Sequence, residues 1–179
     1  MARLVGSPTM PKKRNPIFAA HFTGIGRIIV AWARLELHVI RALEAILKIQ
    51  RADALVVFWH MAHKERAARL SSLFYLDHDD KNDPIRREFE TIIKRMETAH
   101  LVRNMIAHGV WFKGSGPKSI KPFVLQARGS DVKFTGKGLT PEEFIPERLT
   151  KEAEKIDRLA ADFREFFRVH YKARFVSKG

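Results

Sequence analysis

Ala99-His100-Leu101-Val102-Arg103-Asn104-Met105-Ile106-Ala107-His108-Gly109-Val110-Trp111 is the stretch on which the fold of this chain turns. Up to His108 it has the spacing of the last turns of a helix. Beyond Gly109 the chain becomes β-prone. A glycine just past a periodic run predicts a left-handed cap at that position. Arg103, Asn104 and His108 crowd the final turns, so three groups that donate or accept hydrogen bonds sit where a helix leaves carbonyls without partners. The plainest role for them is to satisfy those carbonyls.

Towards the N-terminus the same helix shows a buried stripe of Ile85, Phe89, Ile92, Ile93, Met96 and Ala99, continued by Ile106. Arg86, Arg87, Lys94 and Arg95 fall on the outward face. Asp83-Pro84 reads as an N-cap with proline in the first helical position. The preceding acidic run has Asp77, Asp79, Asp83 and Glu88 at the first, third, seventh and twelfth places of a calcium loop. Asn82 stands where that loop needs glycine and Lys81 where it needs a ligand, so a helix start is the better reading.

Further upstream, the spacing of Ile28, Trp32, Leu35, Val39, Leu43 and Ile46 predicts a long helix from about Thr23 or Gly24 to about Ile49. Ile29, Leu37, Ile40 and Leu47 add a second stripe, which predicts cover on more than one side. Gly24-Ile25-Gly26 lacks the third glycine, the lysine and the preceding strand of a phosphate loop. A second helical region, roughly Ala52 to Leu76, changes register at Met61 to His63, so a kink or two shorter helices are expected. His60 and His63 lie one turn apart, a metal-ligand spacing without a matching third ligand. Residues 1–16 read as a basic, flexible arm with Arg3, Lys12, Lys13 and Arg14 and no acid.

Downstream, six of the ten glycines lie between Gly109 and Leu139, interleaved with Val110-Trp-Phe112, Phe123-Val-Leu125 and Val132-Lys-Phe134. Gly114-Ser-Gly-Pro117 and Gly129-Ser-Asp131 supply the turns of a two- or three-stranded meander. Lys113, Lys118, Lys121, Arg128, Lys133 and Lys137 face a single acid there, Asp131. Thr140-Pro141-Glu142-Glu143 has the form of a capping box opening a short turn that Pro146 ends. Thr150 is then expected to cap the last helix, with Ile156, Leu159, Ala160, Phe163, Phe166 and Phe167 as its stripe. The fold class that results is mainly α: a four- to five-helix bundle with a small β meander, about residues 109–139, inserted before the last long helix. Residues 17–179 form one domain.

The charge narrows the function. With 33 Lys and Arg against 20 Asp and Glu, the formal net charge is +13, which favours a polyanion such as nucleic acid. Arg168, Lys172, Arg174 and Lys178 continue the excess at the C-terminal end. The absence of cysteine excludes disulfides and thiol chemistry. No apolar run reaches the length of a membrane span and residues 1–16 lack a signal-peptide core, so a cytoplasmic protein with no membrane partner is expected.

Arg103-Asn104-x-x-Ala107-His108 resembles the Arg-x(4–6)-His signature of the HEPN superfamily (higher eukaryote and prokaryote nucleotide-binding domains), including the Asn after the Arg and the Ala before the His. The resemblance is tied mainly to residues 83–111. It implies a small helical bundle, a homodimer, and a metal-independent endoribonuclease in which the 2′-hydroxyl attacks the adjacent phosphate. By this resemblance His108 transfers the proton, Arg103 holds the phosphate, Asn104 positions one of them, and Glu36 is a supporting acid. Glu36 is equally an ordinary salt-bridge partner. Lys94, Arg95, Lys113, Lys118 and Lys121 are the expected nucleic-acid contacts.

Five helical residues advance the direction by about 140°, so Arg103 and His108 of one chain do not share a face. Convergence needs an unwound helix end or a second copy. The alternative is a non-catalytic dimer that binds RNA or a nucleotide, or pairs with an antitoxin or nucleotidyltransferase in a toxin–antitoxin or defence setting. A third reading is a structural bundle dimerising through Phe163, Phe166 and Phe167. Neither a cofactor nor a metal is implied.

Overall fold

The computed structural model describes residues 16–128, 131–134 and 143–172. Among them five helices and three strands follow in the order α1 (Pro16–Leu47), α2 (Arg51–Phe58), α3 (His63–Asp77), α4 (Pro84–His108), β1 (Gly109–Lys113), β2 (Ile120–Arg128), β3 (Asp131–Phe134) and α5 (Pro146–Tyr171). The strands form one antiparallel meander of order β1-β2-β3. No helix of the described residues is long and apolar enough to cross a membrane.

Helix α1 is the axis of the bundle and packs most extensively on α5. Ile28, Trp32, Leu35, Val39 and Leu43 are fully buried along it. The second stripe is only half covered: Ile40 is buried, but Leu37 and Leu47 are each 38% exposed. The helix also starts well before Thr23 and absorbs Pro16. Gly24 is not a breaker here, because it marks the crossing with α5. A Cβ on Gly24 would lie 2.6 Å from the Cβ of Leu149. In the added turns His21 is buried, and its Nε2 lies 3.2 Å from the carbonyl oxygen of Phe144. The rest of the expected arm, residues 1–15, lies outside the described residues.

The register break after α2 is a true interruption. Trp59 to Ala62 leave the helix, and α3 begins at His63. Asp83 caps α4, its Oδ1 accepting from the Ile85 N–H at 2.8 Å, with Pro84 in the first turn. Arg86 does not face outward as expected: it donates to the carbonyls of His78 and Asp79 and lies 4.4 Å from the Tyr75 ring centroid. It thereby ties the α3–α4 loop to the bundle.

Helix α5 begins at Pro146, so Pro146 opens the helix and Thr150 lies inside its first turns. The expected capping box falls largely outside the described residues. Its last member, Glu143, accepts instead from Ser115, Gly116 and Ser119 of the β1–β2 loop. Ile156, Leu159, Ala160, Phe163, Phe166 and Phe167 are all buried within the chain's own core, where Phe74 and Phe89 stack at 3.9 Å. That is the bland fate for the phenylalanine cluster, and it removes those rings from any dimer contact. Arg168 is not a spare cation either, since its Nε donates to Glu165 at 2.8 Å.

Candidate functional site

Three helices bring the chemistry together. Trp32 and Glu36 come from α1, one turn apart. His63 and Arg66 come from the first turn of α3, which starts there because the chain re-nucleates after the Trp59–Ala62 turn. His100, Arg103 and Asn104 come from α4 at spacings of three and four, which place them on one face.

The rings form a stack. The centroids of His63 and His100 are 4.7 Å apart and 27° from parallel, and Trp32 lies 4.5 Å from His63 and 5.6 Å from His100. Beside them Arg66 Nη2 donates to Glu36 Oε1 at 2.7 Å, and His63 Nδ1 lies 3.9 Å from the same oxygen. A cleft of about 470 Å³ opens on this stack, lined by His63, Lys64, Ser71, Glu97 and His100.

Arg103 Nη1 donates to Asn104 Oδ1 at 3.0 Å, and Asn104 Nδ2 meets His100 Nε2 at 3.0 Å. Guanidinium can only donate, which fixes the Asn104 oxygen towards Arg103 and its amide nitrogen towards His100. His100 Nε2 must then accept, leaving the imidazole proton on Nδ1. Burial is the main cause that pushes His63 from 6.5 down to about 4, with His100, Arg66 and Arg103 adding positive potential. Burial also lowers His100, with Lys64 and Arg103 in support and Glu36 opposing. Two neutral imidazoles can stack without the repulsion that two charged ones would suffer.

The chain matches no family model, no curated protein and no solved structure.

The arrangement therefore rests on its own geometry. Among the described residues, Trp32 Nε1, His63 Nδ1 and Arg103 Nε are buried without a hydrogen-bond partner. Buried polar atoms left without partners in one cluster are costly, and each calls for a physical explanation.

The expected site residues divide. Arg103 and Asn104 are brought together, and Glu36 joins them through Arg66 and the His63–His100 stack. His108 stands apart: it is exposed in the last turn and has no hydrogen bond or ion pair among the described residues. Helix α4 stays helical through His108, so the unwound end that would let Arg103 and His108 meet in one chain is not present. Gly109 is also not a left-handed cap. Its φ is −72° and ψ 136°, and the chain passes directly into β1. Glycine is required there by crowding, since a Cβ would lie 2.5 Å from the Met105 carbonyl oxygen and 2.8 Å from Pro122 Cβ.

The expected nucleic-acid contacts fall in two groups. Lys94 and Arg95 lie on the exposed side of α4, where Arg95 is paired with Asp162 at 2.8 Å. Lys113, Lys118 and Lys121 lie on the β1–β2 hairpin with no ion-pair partner among the described residues. His60 is exposed in the turn while the His63 side chain is buried, so the two do not form a metal-binding pair. Sequence reasoning missed His100 and Arg66. The spacing His100-x-x-Arg103-Asn104 was the signal available for the first. Nothing local marked Arg66.

Proposed function

We propose that this protein is a metal-independent endoribonuclease of HEPN type that works as a homodimer. The observation that carries the reading is an arginine anchored by Asn104 about one and a half turns before an exposed imidazole that has no hydrogen bond or ion pair among the described residues. Arg103 uses Nη1 on Asn104, and its Nη2 has no hydrogen bond among the described residues; planar guanidinium geometry suits a phosphate whose charge grows in the transition state. His108 is exposed in the last turn, and imidazole is the side chain most often used as general acid or base. On one straight helix the two residues point about 140° apart. A second copy is thus needed to complete the site, with Arg103 of one chain facing His108 of the other, and symmetry supplies both an acid and a base.

In the reaction the ribose 2′-hydroxyl loses its proton to one His108 and attacks the adjacent phosphorus. The 5′-oxygen leaves with a proton from the other His108, giving a 2′,3′-cyclic phosphate and a 5′-hydroxyl end. His100 acts behind this pair as a positioning residue, because it holds Asn104 and, through it, Arg103.

The test is cleavage of total RNA in EDTA by the purified protein, alongside His108→Ala and Arg103→Ala. Cyclic-phosphate fragments lost in both variants are expected. His108 is exposed, so His108→Ala should unfold within about 0.5 kcal/mol of the parent. RNA that is bound but not cut would favour the non-catalytic binding module. Cleavage surviving both substitutions, or a monomer by light scattering at micromolar concentration, would overturn the composite site.

A further inference from the structure

The β1–β2 hairpin has one face in the core and one in solvent. Pairing sets Trp111 opposite Pro122 and Gly109 opposite Val124, while Val110 faces Phe123 and Phe112 faces Lys121. Ile120 and Pro122 are buried, and Trp111 packs edge-on against Phe144 at 5.9 Å. An isolated bridge between Ile120 and Phe144 ties this face to the lead into α5. Alternation then obliges Val110, Phe112, Lys121 and Phe123 to share the other face. Val110 is 43% and Phe112 48% exposed.

Exposed phenylalanine on a basic hairpin calls for a physical reason. Phe112 and Phe123 meet edge to face at 5.1 Å, and the Lys121 ammonium sits 5.8 Å from the Phe123 centroid. These rings floor a cleft of about 580 Å³ whose rim carries Lys113, Ser115 and Lys121, a size in the usual range of small-ligand sites. The acid at this cleft is Glu143. It accepts from the Ser115 N–H at 2.6 Å and hydroxyl, from Ser119 Oγ at 2.7 Å and from the Gly116 N–H at 3.1 Å. These bonds, those from Ser115 foremost, hold its carboxyl down to about 2. Glu143 is therefore ionised, its oxygens turned to these four donors, and against its one negative charge Lys113 and Lys121 leave the cleft lining with a net positive charge.

We propose that this face is a binding platform for single-stranded nucleic acid, on which Phe112 and Phe123 stack unpaired bases while Lys121 on the same face and Lys113 at the cleft rim hold the adjoining phosphates. Aromatic rings interleaved with cations are what sequence-tolerant binding of unpaired bases requires, and paired bases keep their faces stacked on one another. A second copy of the chain fits less well, since each brings a formal charge of +13 and meets the same lysines. Phe112 lies four residues beyond His108, about 13 Å along an extended strand. A bound chain following β1 therefore reaches the end of α4. The platform names the substrate class of the ribonuclease reading and rests on that reading only for which nucleic acid is cut.

The experiment is fluorescence anisotropy with short labelled oligouridylate, oligodeoxyuridylate and a duplex RNA. The full chain and Phe112→Ala, Phe112→Leu and Phe112→Tyr are compared, with His108→Ala added to each to suppress cleavage. Both single strands should bind more tightly than the duplex. Phe112→Ala and Phe112→Leu should each weaken single-strand binding about tenfold, with Phe112→Tyr near the parent. The leucine variant keeps apolar bulk, so it decides the matter if the alanine variant melts early. Unchanged affinity in both, or equal binding of duplex and single strand, overturns the platform. A dimer that falls apart in Phe112→Leu while affinity holds overturns it in favour of a self-contact. Oligodeoxyuridylate has no 2′-hydroxyl, so its ring-dependent binding, beside a parent chain with His108 intact that never cleaves RNA, upholds the platform and defeats the nuclease reading alone. Cleavage that persists with ring-independent binding does the reverse.

Discussion

Acidification should loosen the three-helix cluster through His63. The His63 side chain is only 8% exposed, and its pKa in the folded chain is about 4 against 6.5 in an unfolded one. Between those values the unfolded chain holds a proton that the folded chain refuses, so stability falls as pH falls through that window and is fully present above it. At about 1.4 kcal/mol per pH unit the whole difference is at most about 3 kcal/mol, and roughly half of that once water at the cleft mouth is allowed for. Burial sets the sign, and Arg66, Arg103 and Lys64 add to it by opposing a proton on this stack, while Glu36 favours one. His38, lowered to about 4 by burial and by Arg164, Arg34 and Arg41, acts in the same direction. Urea unfolding at about pH 7 and about pH 5 should show a loss of about 1 kcal/mol attributable to His63. His63→Gln should remove that part of the loss, leaving the parts due to His38 and His100, while His60→Gln, in the exposed turn, should change nothing. An identical pH dependence for His63→Gln and the parent would refute the reasoning.

Two further substitutions test the packing. Glu36→Ala leaves the Arg66 guanidinium, 6% exposed as a residue, without its carboxylate, and should cost about 3 kcal/mol in urea unfolding. Replacing Glu36 and Arg66 together by Gln should cost clearly less, and equal losses would show that the pair is not coupled. Gly24→Ala forces a Cβ to 2.6 Å from Leu149 and should cost about 1–3 kcal/mol, whereas Gly26→Ala, which meets nothing within 4 Å, should gain up to about 1 kcal/mol. Thermal unfolding of the two variants in the opposite order would contradict the α1–α5 crossing.

Periodicity made most of the helices legible. The buried stripes of α1, α4 and α5 and the Asp83-Pro84 start were plain because each depends on residues within a few turns. The reading failed where a residue answers to a distant neighbour. Gly24 looks like a boundary until Leu149 is beside it, and Gly109 looks like a left-handed cap until Met105 and Pro122 crowd it. Glu143 has the form of a capping residue, yet its partners lie 24 to 28 positions away.

The candidate site divides in the same manner. Arg103, Asn104 and His108 are adjacent on one helix, so their grouping and the 140° between Arg103 and His108 follow from the chain and helical geometry alone. The sequence likewise settles the positive charge, the helical class and the β insertion before the last helix. The meeting of Trp32, His63 and His100, the tautomer that Asn104 imposes on His100, and the exposure of Phe112 beside a half-buried Trp111 were decided only by the tertiary structure. Those features arise from the packing of α1, α3 and α4 and from the face of the hairpin that the core covers, and neither is a property of any short segment.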